Sequence, residues 1–107
     1  MTDKIVVLTA CGSAEEARQI AHALVERRLA ACVNIIPGIE SIYRWKDKVE
    51  AAGEWLLLIK SSRKAFAELR NAVSELHSYE VPEYIEIAIA DGSQAYLHWI
   101  EQSVQSR

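Results

Sequence analysis

The chain opens on KIVVLTA, a β-branched run closed by Cys11-Gly12-Ser13, which predicts a strand and its turn. Ser13 followed three residues later by Glu16 has the form of a capping box, so a helix should start there. Ala17, Ile20, Ala21, Leu24, Val25 and Leu29 then recur at the spacing of one helical face. Downstream, VNIIPGIESIYRWKDKVEAAGEWLLLIK places β-branched and aromatic residues on both sides of a charged centre, which predicts a long hairpin with Lys46-Asp47-Lys48 at its tip. Pro37-Gly38 should kink the first arm, and Ala51-Ala52-Gly53 should bulge the second. Ser61 or Ser62 is placed to cap a second helix, whose apolar set Phe66, Leu69, Val73 and Leu76 runs into His77. The stretch YIEIAIA alternates Ile85, Ile87 and Ile89 against Tyr84, Glu86, Ala88 and Ala90, the pattern of a fourth strand. Tyr96, Trp99, Ile100 and Val104 mark a short last helix.

The order is strand, helix, long hairpin, helix, strand, helix. Two strand-helix-strand units in a short chain predict an α+β, ferredoxin-like split βαβ sheet with both main helices on one face. WLLLI is apolar at every position, so both faces of that strand call for burial, whereas a sheet covered on one side should alternate. Only two long helices are available as cover, and a protruding hairpin is poorly stable alone in water. A homo-oligomer with hairpins packed between subunits is therefore expected.

With 107 residues, half of them hydrophobic and a quarter charged, the sequence fits a single domain spanning 1–107. A net charge of −3 and scattered basic residues argue against nucleic acid as a partner. No stretch approaches the roughly 20 apolar residues of a membrane helix, and the amino-terminal run reads as a strand rather than a signal peptide. A cytoplasmic location with reduced cysteines is the expectation, since Cys11 and Cys32 form no CxxC pair.

Candidate chemistry gathers in HSYEVPEYIEI. His77 with Glu80 and Glu83 close by offers imidazole and carboxylate donors suited to Cu(II) or Zn(II). Cys11, in the turn after the first strand, could add a thiolate, whereas Cys32 reads as a small buried hydrophobe. No HxH, HExxH or paired CxxC is present, so a complete site must gather ligands across strands or subunits. Lys60, at the end of its strand, could instead face Glu83 or an anionic ligand at a subunit cleft. His22 and His98 stand on helices without acidic partners at ligand spacing and read as surface or packing residues. No GxSxG, phosphate loop or convincing acid-base pair supports an enzyme.

The strings RLAACVNIIPGIESIYRW, EWLLLIKS and HSYEVPEYIEI, in this order and spacing, resemble the CutA family of divalent-cation tolerance proteins over nearly the whole chain. The resemblance implies a ferredoxin-like fold, an interlocked homotrimer of PII-like architecture, high thermal stability, and metal tolerance through binding of copper or another divalent cation. It also implies an intersubunit pocket near Trp45, Lys60, Tyr79 and Glu83. A PII-like sensor or scaffold, taking a small anion or a partner protein at the same clefts, is the other function this architecture admits. The chain departs from the family pattern with Asp47 where glycine is common at the tip and Ser78 where proline is common. Thr9 stands where some members carry a copper-associated cysteine, and Leu76 beside His77 excludes a histidine pair.

Overall fold

A computed structural model describes residues 2–105. Strand β1 (Lys4–Cys11) leads through Gly12-Ser13 into helix α1 (Ala14–Glu26), and the long strands β2 (Cys32–Trp45) and β3 (Lys48–Ser62) form the hairpin. A 3₁₀ turn over Arg63–Ala65 opens helix α2 (Phe66–Leu76), followed by strand β4 (Ile85–Ala88) and helix α3 (Gln94–Ser103). The four strands are ordered β2-β3-β1-β4 with every pair antiparallel, the sheet of a ferredoxin-like α+β fold.

Period-two alternation divides the sheet. Ile5, Val7, Leu57 and Ile59 point to one face and are fully buried with Ala17, Ile20 and Leu24 of α1 and Leu69, Ala72 and Val73 of α2. Ile100 and Val104, at the end of α3, join the same core. The other face carries Val6, Leu8, Leu56 and Leu58, which are half-buried, and Ile36, Ile85 and Ile87, which are exposed. WLLLI thus buries one side against helices and leaves an apolar side without cover in the single chain. Beyond this sheet the hairpin runs on as an arm, with Ile42 and Val49 each more than 60% exposed (69% and 66%).

The hairpin tip and the kink at Pro37-Gly38 lie where expected, and other local expectations are corrected. The Lys46-Asp47-Lys48 tip is a two-residue turn: Lys48 pairs with Trp45, while Lys46 and Asp47 adopt φ of 50° and 67°. The single register shift falls at Pro37-Gly38, between Ile36 and Ile39, with Gly38 at φ 73°, and the ladder runs unbroken through Ala51-Ala52-Gly53. Neither serine caps α2, because the chain first makes the 3₁₀ turn; the Ser61 hydroxyl donates to the Leu29 carbonyl (2.6 Å) instead. Half of the predicted capping box forms, with Ser13 Oγ accepting from the Glu16 N–H (3.1 Å). The Glu16 carboxylate reaches away to Ser78, accepting from its N–H at 2.7 Å and its hydroxyl at 3.1 Å. Val25 and Phe66, placed by spacing in the apolar sets of α1 and α2, are exposed, as are Tyr96 and Trp99 of α3.

Candidate functional site: an acidic, aromatic cleft at the base of the arm

Past the Pro37-Gly38 bulge, Ser41, Tyr43 and Trp45 lie on the same side of the hairpin as Glu54, the side that continues the uncovered sheet face. The segment after α2 folds over this side at the base of the arm. Together they enclose a cleft of about 620 Å³ whose lining includes Tyr43, Trp45, Glu54, Tyr79, Glu80 and Glu83. Among the described residues every carboxylate here is a glutamate, and no lysine, arginine or histidine lines the cleft.

Tyr79 anchors it. Its hydroxyl donates to Glu54 Oε2 at 2.6 Å, and burial, reinforced by that carboxylate, pushes the phenol above its ordinary range. Glycine at position 12 makes room, because a Cβ there would stand 3.0 Å from the Tyr79 hydroxyl oxygen. The backbone entering this segment is set by His77, which is 8% exposed. A backbone N–H can only donate, so the bond from Tyr79 N to His77 Nδ1 (3.1 Å) makes Nδ1 the acceptor and leaves the proton on Nε2. Nε2 then donates to the Ala10 carbonyl at 2.7 Å. The imidazole therefore ties the end of β1 to the segment that carries Tyr79, and its ring packs against Tyr79 at 4.7 Å.

Cys11 is not the exposed turn residue expected: it ends β1, fully buried, with Sγ 3.9 Å from His77 Nε2. Burial first, then the charges of Glu16 and Glu54, push its thiol up to about 12, so it is held protonated. Cys32 is only half-buried rather than fully so. His22 and His98 are both exposed.

The sequence-derived residues thus divide. Cys11 and His77 come together, while Glu80 lies in the cleft with Trp45, Tyr79 and Glu83. Lys60 lies elsewhere within the chain, paired across the sheet with Val6 and Cys32. Among the described residues, no three His, Cys, Asp or Glu side chains converge closely enough to hold a metal ion within one chain. Glu54 was not anticipated. Its signal was a lone carboxylate two positions before Leu56 on the same side of a strand that is otherwise apolar from Trp55 to Ile59.

Comparison with known proteins matches residues 5–103 to the family described as CutA1 divalent ion tolerance protein. The divalent-cation tolerance protein CutA of Thermus thermophilus is 51% identical over 98 residues, covering 92% of this chain and 95% of the relative. The chloroplastic protein CutA of Arabidopsis thaliana is 41% identical over 95% of this chain and 56% of its own length. The solved structure of the T. thermophilus divalent cation tolerance protein superposes with a TM-score of 0.93 at 49% identity, over 95% of this chain and 99% of that one.

Proposed function

This chain belongs to the CutA1 divalent ion tolerance family, and we propose that it works as a cytoplasmic homotrimer that contributes to metal tolerance by binding divalent cations, copper foremost, at seams between its copies. It is a binding protein rather than an enzyme. The observation that carries this reading is where the acidic cleft opens: on the uncovered face of the sheet, beside an arm with exposed apolar residues. Burying that face removes apolar surface from water at about 25 cal/mol per Å², and an assembly built on it sets a second copy's side chains against Glu80 and Glu83. A site shared between copies also accords with the lack of a three-donor group within one chain among the described residues.

Each copy offers Glu80 from the cleft and the Cys11–His77 pair behind it. The oxygen donors are open, whereas His77 must release the Ala10 carbonyl or the Tyr79 N–H before it ligates, and Cys11 must lose its proton. Binding through this pair is therefore proton-coupled. The small-anion reading has less support, because no cationic side chain among the described residues lines the cleft and Lys60 stands apart from it.

The test is calorimetric titration of the purified protein with Cu(II), Zn(II) and Ni(II), beside His77→Ala, Cys11→Ser and Glu80→Gln, with sedimentation alongside. Stoichiometric binding of roughly micromolar strength or tighter, weakened in one or more variants, is expected. Weak binding that no variant changes, or a monomeric mass at micromolar concentration, would sink the proposal.

A further inference from the structure

Residues 78–83 run from α2 toward β4 and carry Glu80 and Glu83, yet among the described residues no backbone-to-backbone hydrogen bond holds them. Side chains do so instead, at three places. The His77 imidazole ties the Tyr79 N–H to the Ala10 carbonyl, and the Tyr79 hydroxyl donates to Glu54. These are inner ties, since Ala10, His77 and Glu54 are all buried. The third is outermost: Glu16, in the first turn of α1, accepts from both the N–H (2.7 Å) and the hydroxyl (3.1 Å) of the exposed Ser78. It runs to the helix layer, away from the sheet face that other copies of the chain cover. Beneath the ties lies Cys11, fully buried, with Sγ 3.9 Å from His77 Nε2. Breaking an inner tie first would strand a buried carbonyl or a buried carboxylate without a partner, whereas water can take over every bond of the outer one. The outer tie is therefore the one that opens first.

We propose that the Glu16–Ser78 link is a latch over the buried Cys11–His77 pair. While it is closed, the strap formed by residues 78–83 shuts the pair in; once it opens, the strap lifts from the end of β1, and an ion or a reagent reaches the thiol and the imidazole. A carboxylate suits this task because its bonds to two donors are charge-assisted and hold the strap, yet they lie at the surface, where water replaces them and the strap is free to open. Glu16 is thus a positioning residue that touches neither Cys11 nor His77 by a hydrogen bond and controls how often both are reached. For its purpose the latch rests on the metal-binding reading, while its opening can be measured without any metal.

The experiment follows the slow alkylation of Cys11 by iodoacetamide in the purified native protein, read by mass spectrometry of the Cys11 peptide, at several urea concentrations well below the unfolding midpoint and at two protein concentrations. Glu16→Ala should label roughly tenfold faster than wild type, the shift expected when a partly screened charge-assisted hydrogen bond is lost, and Glu16→Gln, which keeps an acceptor, should label faster by less. Glu15→Ala, which removes the neighbouring acid of the same exposed turn, should label at the wild-type rate. Ser78→Pro removes the N–H and the hydroxyl together, and the extended His77 backbone (ψ 141°) is one that a residue before proline adopts. In that background Glu16→Ala should change nothing. Rates that barely respond to urea or to protein concentration mark a local opening. Equal rates in wild type and Glu16→Ala, the same acceleration with and without Ser78→Pro, or rates that track global unfolding or dissociation of the copies overturn the latch. Faster labelling in Glu16→Ala without Cu(II) binding in any form keeps the latch and removes the metal reading, and Cu(II) binding with equal labelling rates does the reverse.

Discussion

Replacing Glu101 by glutamine tests how α3 is held to the sheet. The Glu101 carboxylate accepts from the ammonium groups of Lys4 in β1 and Lys64 in the 3₁₀ turn, each at 2.7 Å. Those bonds hold its carboxyl down from 4.5 to about 2, which at face value is worth about 3 kcal/mol. Its side chain is 44% exposed, however, and solvent screening reduces the carboxylate's own share to about 1 kcal/mol. Lys4 adds to this. Burial pulls its ammonium down, but the hydrogen bonds it donates to Asp3 and Glu101, together with their charges, outweigh burial and hold it above the ordinary lysine value. In the variant this ammonium, 8% exposed, keeps Asp3 alone as a charged partner among the described residues, which costs roughly another 1 kcal/mol. Glu101→Gln should therefore destabilise by about 1–2 kcal/mol at pH 7, read from denaturant midpoints at fixed protein concentration.

The pH dependence follows from the sign of the carboxyl's displacement. A carboxyl held lower in the folded chain than in the unfolded one contributes fully above about 4.5 and loses that contribution as pH falls toward about 2. The raised lysine acts only at the alkaline end, where its contribution fades as pH climbs through its folded value. The gap between wild type and variant should thus be full at neutral pH, narrow below about pH 4.5 and nearly close by about pH 2, and it should shrink in high salt. A gap of the same size at pH 7 and near pH 2, or none at pH 7, would refute this account of how α3 is anchored.

Lys46→Asn should stabilise the arm by roughly 0.5–1 kcal/mol, because asparagine tolerates the left-handed backbone that lysine adopts at φ 50°; an unchanged or lower denaturation midpoint would count against it. Cys11, buried and with its thiol pushed up to about 12, should resist iodoacetamide at pH 8 in the folded protein and react on unfolding; mass spectrometry of the labelled peptide reads this directly, and prompt native labelling would contradict the described burial.

Strand and helix order was legible because the patterns were long: an apolar run between turn residues, a 3.6-residue stripe, two β-branched arms about a charged tip. What pattern could not show was which apolar positions find a neighbour. Val25 and Phe66 continue helical stripes yet point past the edge of the core, whereas Ala72 takes a buried place on α2. The cleft was partly legible, since resemblance gathered Trp45, Tyr79 and Glu83. Lys60 was grouped with them, and strand periodicity does put it on the same side of β3 as Glu54, but six residues of strand separate the two by about 20 Å. The role of His77 was hidden because its partners are a backbone carbonyl and a backbone N–H, groups that every residue carries and no sequence pattern marks. The Glu16–Ser78 link was hidden by its span, a carboxylate read as a local cap that instead bridges α1 to the segment following α2.

The interruption at Pro37-Gly38 also bears on how growth of the sheet is limited. β2 is an edge strand of 14 residues, and an unbroken edge of that length is a template onto which chain after chain could add without end. Proline lacks the N–H that such pairing needs, and the register shift at this point turns the strand, dividing one long adhesive margin into two short ones of different direction. A visiting strand can follow one segment or the other but not both. An edge broken in this way favours a closed assembly of few members over an open fibre, and straightening it, by deleting Pro37, the one residue in excess of the facing strand, would trade a finite particle for a filament.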